Sequence, residues 1–180
     1  MKKNNKQKGC VLWFTGLSQS GKSTTADAVY KILKEKRKLN VERLDGDVVR
    51  QSLTKDLGFS EKDRNKNIEK VTFIAKLLSR NNVIVLASFI SPYRKAREKI
   101  RKEVNNYIEV FCNCPLKICE KRDTKGFYKR ARKGDIENFT GISDPYERPK
   151  NPEIELKTGK LPIEKCADTI INYLEKNKLI

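Results

Sequence analysis

The residues most able to do chemistry form a glycine-rich loop near the start of the chain. From Gly16 to Ser23 the sequence matches the pattern G-x-x-x-x-G-K-[ST] at every fixed position. In this pattern the glycines let the backbone curl its N–H groups around a β-phosphate, the lysine reaches the β- and γ-phosphates, and the hydroxyl is placed to hold Mg²⁺. The pattern therefore predicts a nucleoside triphosphate site with Lys22 as a catalytic cation and Ser23 as a metal ligand. Its residues are Gly16, Leu17, Ser18, Gln19, Ser20, Gly21, Lys22, Ser23 and Thr24.

Two carboxylates follow the second apolar run of the chain. Asp45 and Asp47 come directly after Leu44, and Arg50 lies a little further on. In an open parallel sheet, ligands bind beyond the carboxyl ends of the strands. The chain contains no histidine, so a carboxylate is the natural group to take a proton from an attacking hydroxyl or to hold Mg²⁺. We predict that both carboxylates are catalytic and that Asp45 also binds metal with Ser23, although either carboxylate could instead cap the next helix.

Short apolar runs alternate with helical patterns, and these elements must position the loop and the carboxylates. A near-continuous apolar run, such as Val83 to Ile90, suits a parallel strand that is covered on both faces. Alternating strands and helices build βαβ units and a doubly wound parallel sheet. We predict an α/β, three-layer fold of the P-loop NTPase type with a central parallel sheet of about five strands. The predicted strands are Cys10 to Thr15, Val41 to Leu44, Val83 to Ile90, Tyr107 to Cys112 and the short run Ile154 to Leu156.

Start signals in the sequence place the helices. Apolar residues at helical spacing follow the glycine-rich loop, so a helix begins there. Ser60 with Asp63 resembles a capping box ahead of a long helix. Ser91 followed by Pro92 predicts the cap and the first residue of another helix. A last helix is predicted from Ile163 to Glu175.

Length and composition limit the class of protein. A chain of 180 residues fits one domain, and 40 Lys and Arg against 23 Asp and Glu give a formal net charge of +17, so the expected partner is an anion. The absence of histidine excludes Ser-His-Asp and Cys-His triads. Five cysteines without a Cys-x-x-Cys pair favour reduced, buried thiols in a cytoplasmic protein, and no apolar run approaches the ~18 residues of a membrane span. We expect residues 1–8 to form a disordered basic tail and 9–180 a single domain.

Six motifs occur in one order along the chain, and together they are far more specific than the loop alone. This order resembles that of the adenylylsulfate kinase family, whose members transfer the γ-phosphoryl group of ATP to the ribose 3′-hydroxyl of adenylylsulfate. The resemblance extends from about Lys8 to the C-terminus. It implies a magnesium-dependent kinase with ATP as co-substrate, a helical lid at about residues 122–140 and a homodimer. The motifs are Gly16 to Thr24, Leu44 to Arg50, Leu57 to Asn67, Phe89 to Arg94, Arg122 to Tyr128 and Phe139 to Glu147.

The resemblance also implies which residues bind each substrate. Phe59 and Phe139 correspond to the rings that sandwich the adenine of adenylylsulfate, a contact of about 1–3 kcal/mol by analogy with base stacking elsewhere. Arg50 and Arg64 would pair with the phosphosulfate anion through their planar forks. Arg122 corresponds to the residue packed against the adenine of ATP. The other substrate-binding residues that the resemblance implies are Asn67, one helical turn beyond Arg64, together with Ile90, Ser91 and Lys125.

Ser91 has two interpretations. In the family, the corresponding serine has been proposed as a phosphoserine intermediate, whereas the Ser91-Pro92 pair is explained by helix capping alone. No histidine is present to activate the hydroxyl. We therefore predict direct in-line transfer to the acceptor, and Ser91, close to the site, is counted as a candidate catalytic residue with Lys22, Asp45 and Asp47.

A basic segment that begins at Lys125 resembles the family's lid. Gly126 and Gly134 bracket its basic stretch and could act as hinges for closure over the phosphates. Helical spacing places Lys125, Lys129 and Arg132 on one face. A second basic stripe is expected to be a solvated helix face. That stripe consists of Arg94, Arg97 and Arg101.

The sequence departs from the family pattern in a few places. Gln19 stands where the loop customarily has glycine, at a position that tolerates a side chain. Val48, Gln51 and Ser52 replace Asn, His and Gly beside the acceptor residues. Two other functions stay open: a P-loop kinase of another small metabolite or nucleoside, and a nucleic-acid-binding ATPase suggested by the charge of +17. Because the lysines are spread along the whole chain, we expect ATP and adenylylsulfate as partners, and neither nucleic acid nor a membrane.

Overall fold

The computed structural model describes residues 7–180, which form a parallel sheet between two layers of helices. All five predicted strands are present, and the first, fourth and fifth have the predicted bounds. The strands are β1 (Cys10–Thr15), β2 (Val41–Asp45), β3 (Ile84–Ser88), β4 (Tyr107–Cys112) and β5 (Ile154–Leu156). The helices are α1 (Lys22–Tyr30) with a π-helical extension (Lys31–Lys36), α2 (Gly46–Gln51), α3 (Glu61–Arg80), α4 (Arg94–Glu103), α5 (Leu116–Lys121), α6 (Phe127–Arg132) and α7 (Ile163–Lys176).

The strand order explains why distant motifs meet. The sheet runs β2-β3-β1-β4-β5, and every pairing is parallel. Phe14 of β1 pairs with Ser88 of β3, and Ser88 pairs in turn with Asp45 of β2. The carboxyl ends of these three strands therefore lie at one edge of the sheet, which is where open α/β folds bind ligands. The predicted α/β fold is confirmed.

Both faces of the sheet are covered by helices. Leu12 and Phe14 point to the layer that contains α1 and α7, while Val11 and Trp13 point to the layer that contains α3 and α4. Every residue of β1, β3 and β4 is buried, as expected for the central strands of a three-layer fold. A smaller apolar cluster centred on Tyr128 lies under the lid.

One of the two predicted helix caps is confirmed and the other is wrong. Ser60 caps α3, and its Oγ accepts a hydrogen bond from the N–H of Asp63 at 3.2 Å. Helix α4 begins only at Arg94, so Ser91 does not cap it. Ser91 has a φ of 44° and its Oγ accepts a hydrogen bond from Nε1 of Trp13 at 2.9 Å. Its hydroxyl therefore faces the core rather than a helix end.

The expected solvated stripe on α4 is also wrong. Arg97 is 2% exposed, and its Nε lies 2.7 Å from Oε1 of Glu109. Arg101, one turn later, pairs with Glu109 and with Glu153. Glu109 is a buried acid on β4, and a buried carboxylate needs a cationic partner. The acid lies on a different element, so the charge pattern of α4 alone does not reveal the pairing.

The ends of the chain and the thiols complete the fold. Residues 1–6 of the expected tail lie outside the described residues. The N–H of Lys8 donates to the carbonyl oxygen of Leu179 at 2.9 Å, and Nε2 of Gln7 donates to that of Asn40 at 3.0 Å. The five cysteines are free and buried, as predicted. Between residues 7 and 180, no helix combines the length and the apolar character that crossing a bilayer requires.

Candidate active site

The glycine-rich loop leaves β1 at Gly16 and enters α1 at Lys22. Gly16 has a φ of 149°, and a Cβ there would lie 2.7 Å from the carbonyl oxygen of Cys112, so only glycine fits. Gly21 is left-handed with a φ of 89° and forms the N-cap of α1. The Nζ of Lys22 donates to the carbonyl oxygens of Gly16 and Leu17 at 3.1 and 2.7 Å. The loop thus closes around an ammonium group beside a helix N-terminus, an arrangement that favours anions.

Burial changes the pKa of the Lys22 ammonium group. The residue is 9% exposed, and burial lowers its pKa below the ordinary value of 10.5. The nearby carboxylates of Asp45 and Asp47 oppose that shift. A cation shielded from water interacts more strongly with an approaching phosphate than an exposed one does.

Gln19 occupies a strained position in the loop. Its φ is 57°, in the left-handed region. A residue with a Cβ pays roughly 1–2 kcal/mol for this conformation, which explains the customary glycine of the family. The position accommodates the side chain, as predicted, but at a backbone cost that the sequence does not reveal.

Asp45 connects the loop to the acceptor side of the site. Its Oδ1 accepts a hydrogen bond from the N–H of Asp47 at 3.0 Å and so caps α2. Its Oδ2 accepts the hydroxyl of Ser23 at 2.6 Å and lies 3.4 Å from Nη2 of Arg43. Capping and a place in the site are therefore roles of the same side chain.

Asp47 makes a different kind of contact. Its side chain is 80% exposed, and Nζ of Lys125 from the lid lies 3.4 Å from its Oδ2. Exposed ion pairs are worth only about 0–1 kcal/mol. A phosphate that enters the site can therefore replace Asp47 as the partner of Lys125 at little cost.

Phe59, Arg50 and Arg64 form a cluster of one ring and two cations around the start of α3. Phe59 is 54% exposed, and the guanidinium carbons of Arg50 and Arg64 lie 4.4 and 5.5 Å from its ring centroid. Burial lowers the pKa of Arg50, and the positive charge of Arg64 adds to the shift. Two guanidinium groups this close repel each other, and an anion between them removes that cost. The cluster suits a planar ring that carries an anionic group.

Arg64 also joins the two loops that bear the predicted stacking rings. Its Nε donates to the carbonyl oxygen of Phe59 at 2.9 Å, and its Nη2 donates to that of Asn138 at 2.6 Å. Asn138 directly precedes Phe139. The side chain of Arg64 thus sets how far apart the two phenylalanines lie.

The inner side of the lid contacts the glycine-rich loop. Tyr128 is 2% exposed, and its hydroxyl donates to the carbonyl oxygen of Ser18 at 3.0 Å. Its ring packs edge-on against Phe139 with the centroids 4.9 Å apart. Tyr128 therefore links the loop predicted to bind phosphates to one of the predicted acceptor rings. Phe139 is half-buried in this contact, whereas Phe59 is exposed.

The glycines that bracket the lid's basic stretch are both left-handed. Gly126 has a φ of 68° and is the N-cap of α6, and Gly134 has a φ of 86°. No atom lies within 4 Å of a Cβ built at either position, so backbone conformation rather than space requires glycine. The hinge role of these residues stays a prediction.

The three lid cations do not share one helical face, which corrects the prediction. Lys125 precedes the N-cap Gly126 and lies outside α6. Lys129 and Arg132 both lie on α6 and are exposed, three residues apart, and Arg132 also donates to Oε1 of Glu120 at 2.6 Å. Helical spacing counted from Lys125 fails because α6 begins only after its N-cap, Gly126.

The turn after β3 is held from inside the domain. The carbonyl oxygen of Ile90 accepts a hydrogen bond from Oγ1 of Thr15 at 2.7 Å. Ser91 is 2% exposed, with its hydroxyl bound to Trp13. These contacts place Ile90 and Ser91 next to the end of β1, where the glycine-rich loop starts.

Two other predicted site residues are held by neighbours. Asn67 is buried, and its Oδ1 accepts a hydrogen bond from Oγ1 of Thr54 at 2.8 Å, which supports the loop before α3. Arg122 is exposed, and its Nη2 donates to the carbonyl oxygen of Thr158 at 2.9 Å. Its Nη1 lies 4.0 Å from a Cβ built at Gly21, so Arg122 borders the glycine-rich loop, while its contact with the adenine of ATP stays a prediction.

Several supporting residues escaped the sequence reasoning. Tyr128 and Tyr146 belong to two of the six motifs that match the family, so their place in a motif could have marked them as site residues. Asp144 lies in a loop within the last motif, at a position that the motif leaves open. The others lie in strands or in a charged helix, where periodicity does not indicate that a side chain holds a distant carbonyl or carboxylate. The residues are Trp13, Thr15, Arg43, Arg97, Tyr128, Asp144 and Tyr146.

Comparison with known proteins decides the family. A family model described as adenylylsulphate kinase matches residues 8–157. The chain belongs to the adenylylsulfate kinase family. It is 56% identical over 174 residues to the adenylyl-sulfate kinase of Halothermothrix orenii, a match that covers 97% of this chain and 94% of that protein. It is 61% identical over 163 residues to the probable adenylyl-sulfate kinase of Pseudomonas aeruginosa, covering 91% of this chain and 76% of the relative.

Solved structures of adenylylsulfate kinases share the fold. The APS kinase of Mycobacterium tuberculosis in complex with AMPPNP and APS matches with a TM-score of 0.89 and 43% identity, covering 94% of this chain and 99% of that one. Shikimate kinase from Aquifex aeolicus, at 17% identity and a TM-score of 0.51, shares the fold alone. Membership in the adenylylsulfate kinase family confirms the predicted ATP-dependent phosphotransferase. It also supports adenylylsulfate kinase activity over the two other functions that the sequence left open, a kinase of another metabolite and a nucleic-acid-binding ATPase.

Proposed function

We propose that the protein transfers the γ-phosphoryl group of ATP to the 3′-hydroxyl of adenylylsulfate, giving ADP and 3′-phosphoadenylylsulfate, within one domain of residues 9–180. Membership in the family supports this reaction. The observation that carries the assignment of the site is the 2.6 Å hydrogen bond from Ser23 to Asp45. In-line transfer requires the acceptor hydroxyl beside the γ-phosphate. The two residues mark where the ATP side and the acceptor side adjoin.

The ATP side consists of the loop from Gly16 to Thr24 and of Arg122. The backbone N–H groups of the loop cradle the β-phosphate, and Lys22 exchanges its two loop carbonyls for β- and γ-phosphate oxygens. There it stabilises the charge that develops on the transferred group. Arg122, held by the carbonyl of Thr158, packs against the adenine of ATP.

The oxygens of Ser23 and Asp45 fit Mg²⁺. Hydroxyl and carboxylate oxygens are ligands that this cation prefers, and Mg²⁺ commonly takes one or two protein ligands together with phosphate oxygens and water. Among residues 7–180, no group of three or more histidine, cysteine or acidic side chains offers an all-protein metal site. When bound, the cation neutralises charge on the β- and γ-phosphate oxygens.

The acceptor side consists of the ring-and-cation cluster around the start of α3 and the end of the lid, which carries Phe139. Phe59 and Phe139 sandwich the adenine of adenylylsulfate, and Arg50 and Arg64 pair with its phosphosulfate group. The exposure of Phe59 and the close approach of the two guanidinium groups support this placement. The remaining substrate contacts come from Asn67, Ile90, Ser91 and Lys125.

Transfer to the acceptor is direct. Asp45 orients or deprotonates the 3′-hydroxyl, since no histidine exists to do so, and Asp47 assists at the exposed side. The hydroxyl of Ser91 is buried and accepts a hydrogen bond from Trp13, which argues against its service as a phosphoryl carrier.

The proposal also covers closure of the lid, the oligomeric state of the protein and its location in the cell. Residues 122–140 close over the phosphates through the hinges Gly126 and Gly134 and bring cations to the site. The protein is a cytoplasmic homodimer. A similar protein, the APS kinase from Thiobacillus denitrificans, is described as hexameric, so the mass in solution must be measured. Light scattering is expected to give twice the monomer mass.

The reaction is tested with three acceptors in parallel. The protein is incubated with ATP and Mg²⁺ together with adenylylsulfate, AMP or a polynucleotide, and the products are separated by chromatography. We expect a phosphorylated product with adenylylsulfate alone and its loss when EDTA removes the metal. Phosphorylation of another acceptor only, or ATP hydrolysis stimulated by polynucleotide with a steep salt dependence, would contradict the proposal.

A further inference from the structure

The turn after β3 carries two proposed substrate residues in a costly backbone conformation. Ser91 has a φ of 44°, in the left-handed region that residues other than glycine rarely adopt. The conformation costs roughly 1–2 kcal/mol for a residue with a Cβ. Such strain persists only where the surrounding structure imposes it. Contacts that impose it here lie on the buried side of the turn.

Three side chains hold the turn from that side. Oγ1 of Thr15 donates to the carbonyl oxygen of Ile90 at 2.7 Å, and Nε1 of Trp13 donates to Oγ of Ser91 at 2.9 Å. Nη1 of Arg97 donates to the carbonyl oxygen of Ser91. Thr15 and Trp13 belong to β1 at the centre of the sheet. Of the three, Arg97 alone comes from a helix.

Arg97 divides its planar guanidinium among three acceptors. Nε pairs with Glu109 at 2.7 Å, Nη1 donates to Ser91, and Nη2 donates to the carbonyl oxygen of Glu147. Because the Arg97 side chain is only 2% exposed, its charge requires the carboxylate of Glu109. A rigid fork can join two backbone carbonyls in fixed directions, whereas the single ammonium group of a lysine cannot reproduce that geometry.

Glu147 ties the same turn to the segment that follows the lid. Its N–H donates to the carbonyl oxygen of Pro92 at 2.9 Å, and its Oε2 accepts the N–H of Arg94 at 2.6 Å. With the bond from Arg97, three hydrogen bonds connect Glu147 to the residues around Ser91. Arg97 thus joins two parts of the acceptor side that are distant in sequence.

Arg101 provides an internal comparison. It lies one turn later on α4, and its Nη2 contacts the same Glu109 at 3.2 Å, but its other hydrogen bonds go to Glu153. Within residues 7–180, none of its bonds reaches Ser91 or Glu147. Both arginines neutralise the buried acid, and only Arg97 also reaches the turn.

We propose that Arg97 is a positioning residue for the acceptor substrate. By binding the carbonyls of Ser91 and Glu147, it holds the Ile90–Ser91 turn in the left-handed conformation in which the turn meets adenylylsulfate. The inference rests on the proposed placement of adenylylsulfate against this turn. Arg97 acts through Ser91 and does not touch the reacting atoms.

The test compares Arg97→Lys with its matched control Arg101→Lys. Steady-state kinetics give the KM of each substrate, and fluorescence of Trp13, the only tryptophan of the chain, follows binding of adenylylsulfate without ATP. Trp13 reports on the turn because it bonds to Ser91. We expect Arg97→Lys to raise the KM and the Kd for adenylylsulfate about tenfold or more and to change the KM for ATP less than about twofold. Arg101→Lys changes all three constants less than about twofold.

A double variant isolates the backbone effect. Glycine adopts the left-handed conformation freely, so a turn with Ser91→Gly no longer needs the restraint. The effects of Ser91→Gly and Arg97→Lys on the Kd for adenylylsulfate should therefore combine to less than their product. Calorimetry measures the Kd of these variants, because Ser91→Gly removes the hydroxyl that links Trp13 to the turn. If Arg97→Lys does not fold, a variant that carries both Arg97→Gln and Glu109→Gln is compared with Arg101→Lys instead. This variant removes both buried charges together.

The outcomes separate the inference from the proposed function. An unmodified protein with neither turnover nor a fluorescence change on adenylylsulfate would refute the proposed function. An active unmodified protein overturns the inference alone in any of three cases. In the first case, Arg97→Lys leaves the KM and Kd for adenylylsulfate unchanged. In the second, Arg97→Lys and Arg101→Lys weaken adenylylsulfate binding equally. In the third, the effects of Ser91→Gly and Arg97→Lys on that Kd multiply in the double variant.

Discussion

The hydroxyl of Ser23 donates a 2.6 Å hydrogen bond to Oδ2 of Asp45, so the glycine-rich loop and the end of β2 meet at one contact. Strand β3 lies between β1 and β2 in the sheet. The contact therefore bridges the edge of the sheet above β3 rather than joining adjacent strands. In the proposed function Ser23 faces the phosphates of ATP and Asp45 faces the acceptor, and direct transfer requires the two sides to be this close.

Replacing the charge of Asp45 should impair transfer without unfolding the protein. Asparagine still caps α2, so the free energy of unfolding of Asp45→Asn should change by less than about 1 kcal/mol. We expect kcat to fall about 10²- to 10³-fold because both metal binding and the carboxylate base are weakened. Kinetics at saturating substrates and a magnesium titration check this. The matched variant Asp47→Asn, at an exposed side chain, should lose less, and an equal loss in both variants would contradict the assignment of Asp45.

Removing the ammonium group of Lys22 should lower kcat rather than the affinity for adenylylsulfate. In Lys22→Ala the γ-phosphoryl group loses a buried cation, and we expect kcat to fall about 10²- to 10³-fold. The Kd for adenylylsulfate, measured by Trp13 fluorescence, should change little. Lys31→Ala removes an exposed lysine beyond the end of α1 and serves as the control. A tenfold loss of adenylylsulfate binding in Lys22→Ala would place this lysine on the acceptor side instead.

Two exposed phenylalanines allow a matched test of stacking. Phe59 is 54% exposed and Phe73 on α3 is 64% exposed, so truncating either removes little core. We expect Phe59→Ala to raise the KM for adenylylsulfate by the equivalent of ~1–3 kcal/mol while the KM for ATP stays nearly constant. Phe73→Ala should leave both constants unchanged. If the two variants behave alike, Phe59 is a surface residue without a substrate role.

Buried thiols should make stability fall in alkaline solution. Burial raises the pKa of Cys10 to about 12 from an ordinary value of 9.0. Above pH 9 the unfolded chain therefore loses a proton that the folded chain keeps. The stabilising contribution of this thiol is complete below about pH 9 and disappears as the pH approaches 12, with a loss of about 1 kcal/mol near pH 10.

Urea unfolding of the unmodified protein and of Cys10→Ala at pH 8, 9 and 10 measures this contribution. The difference between the two proteins is the useful quantity, because burial lowers the pKa of Lys22 and gives that residue a pH dependence of the opposite sign. The Cys10→Ala variant should lose less stability between pH 8 and 10 than the unmodified protein does. Parallel curves would show that Cys10 does not titrate differently in the two states.

Elements set by local pattern could be predicted from the sequence. The strands Cys10–Thr15 and Tyr107–Cys112 are apolar runs of the right length, and Ser60 caps α3 through a bond within one helical turn. The glycine-rich loop could be predicted from the fixed spacing of its own motif, whereas the close approach of Cys112 on β4, which also requires Gly16, could not. In each case the residues that determine the structure are close in sequence or follow one period.

Contacts between distant elements could not be predicted in the same way. Ser91 was expected to cap a helix because Pro92 follows it, yet Trp13 on β1 captures its hydroxyl. Arg97 was expected to be solvated because its own helix is basic, yet Glu109 on β4 draws it inside. In both cases the partner lies on a strand that is distant in sequence, and the pattern of a single sequence does not indicate that the two residues are in contact.

Arg64 binds the carbonyl of Asn138, 74 residues further along the chain, whereas Ser23 and Asp45 are only 22 residues apart. During synthesis the ribosome releases every residue of the glycine-rich loop long before Asn138 and Phe139 emerge. The proposed acceptor pocket can therefore be completed only after residue 138 has been synthesised. A chain that ends before Asn138 therefore lacks the carbonyl that, together with that of Phe59, fixes the guanidinium of Arg64.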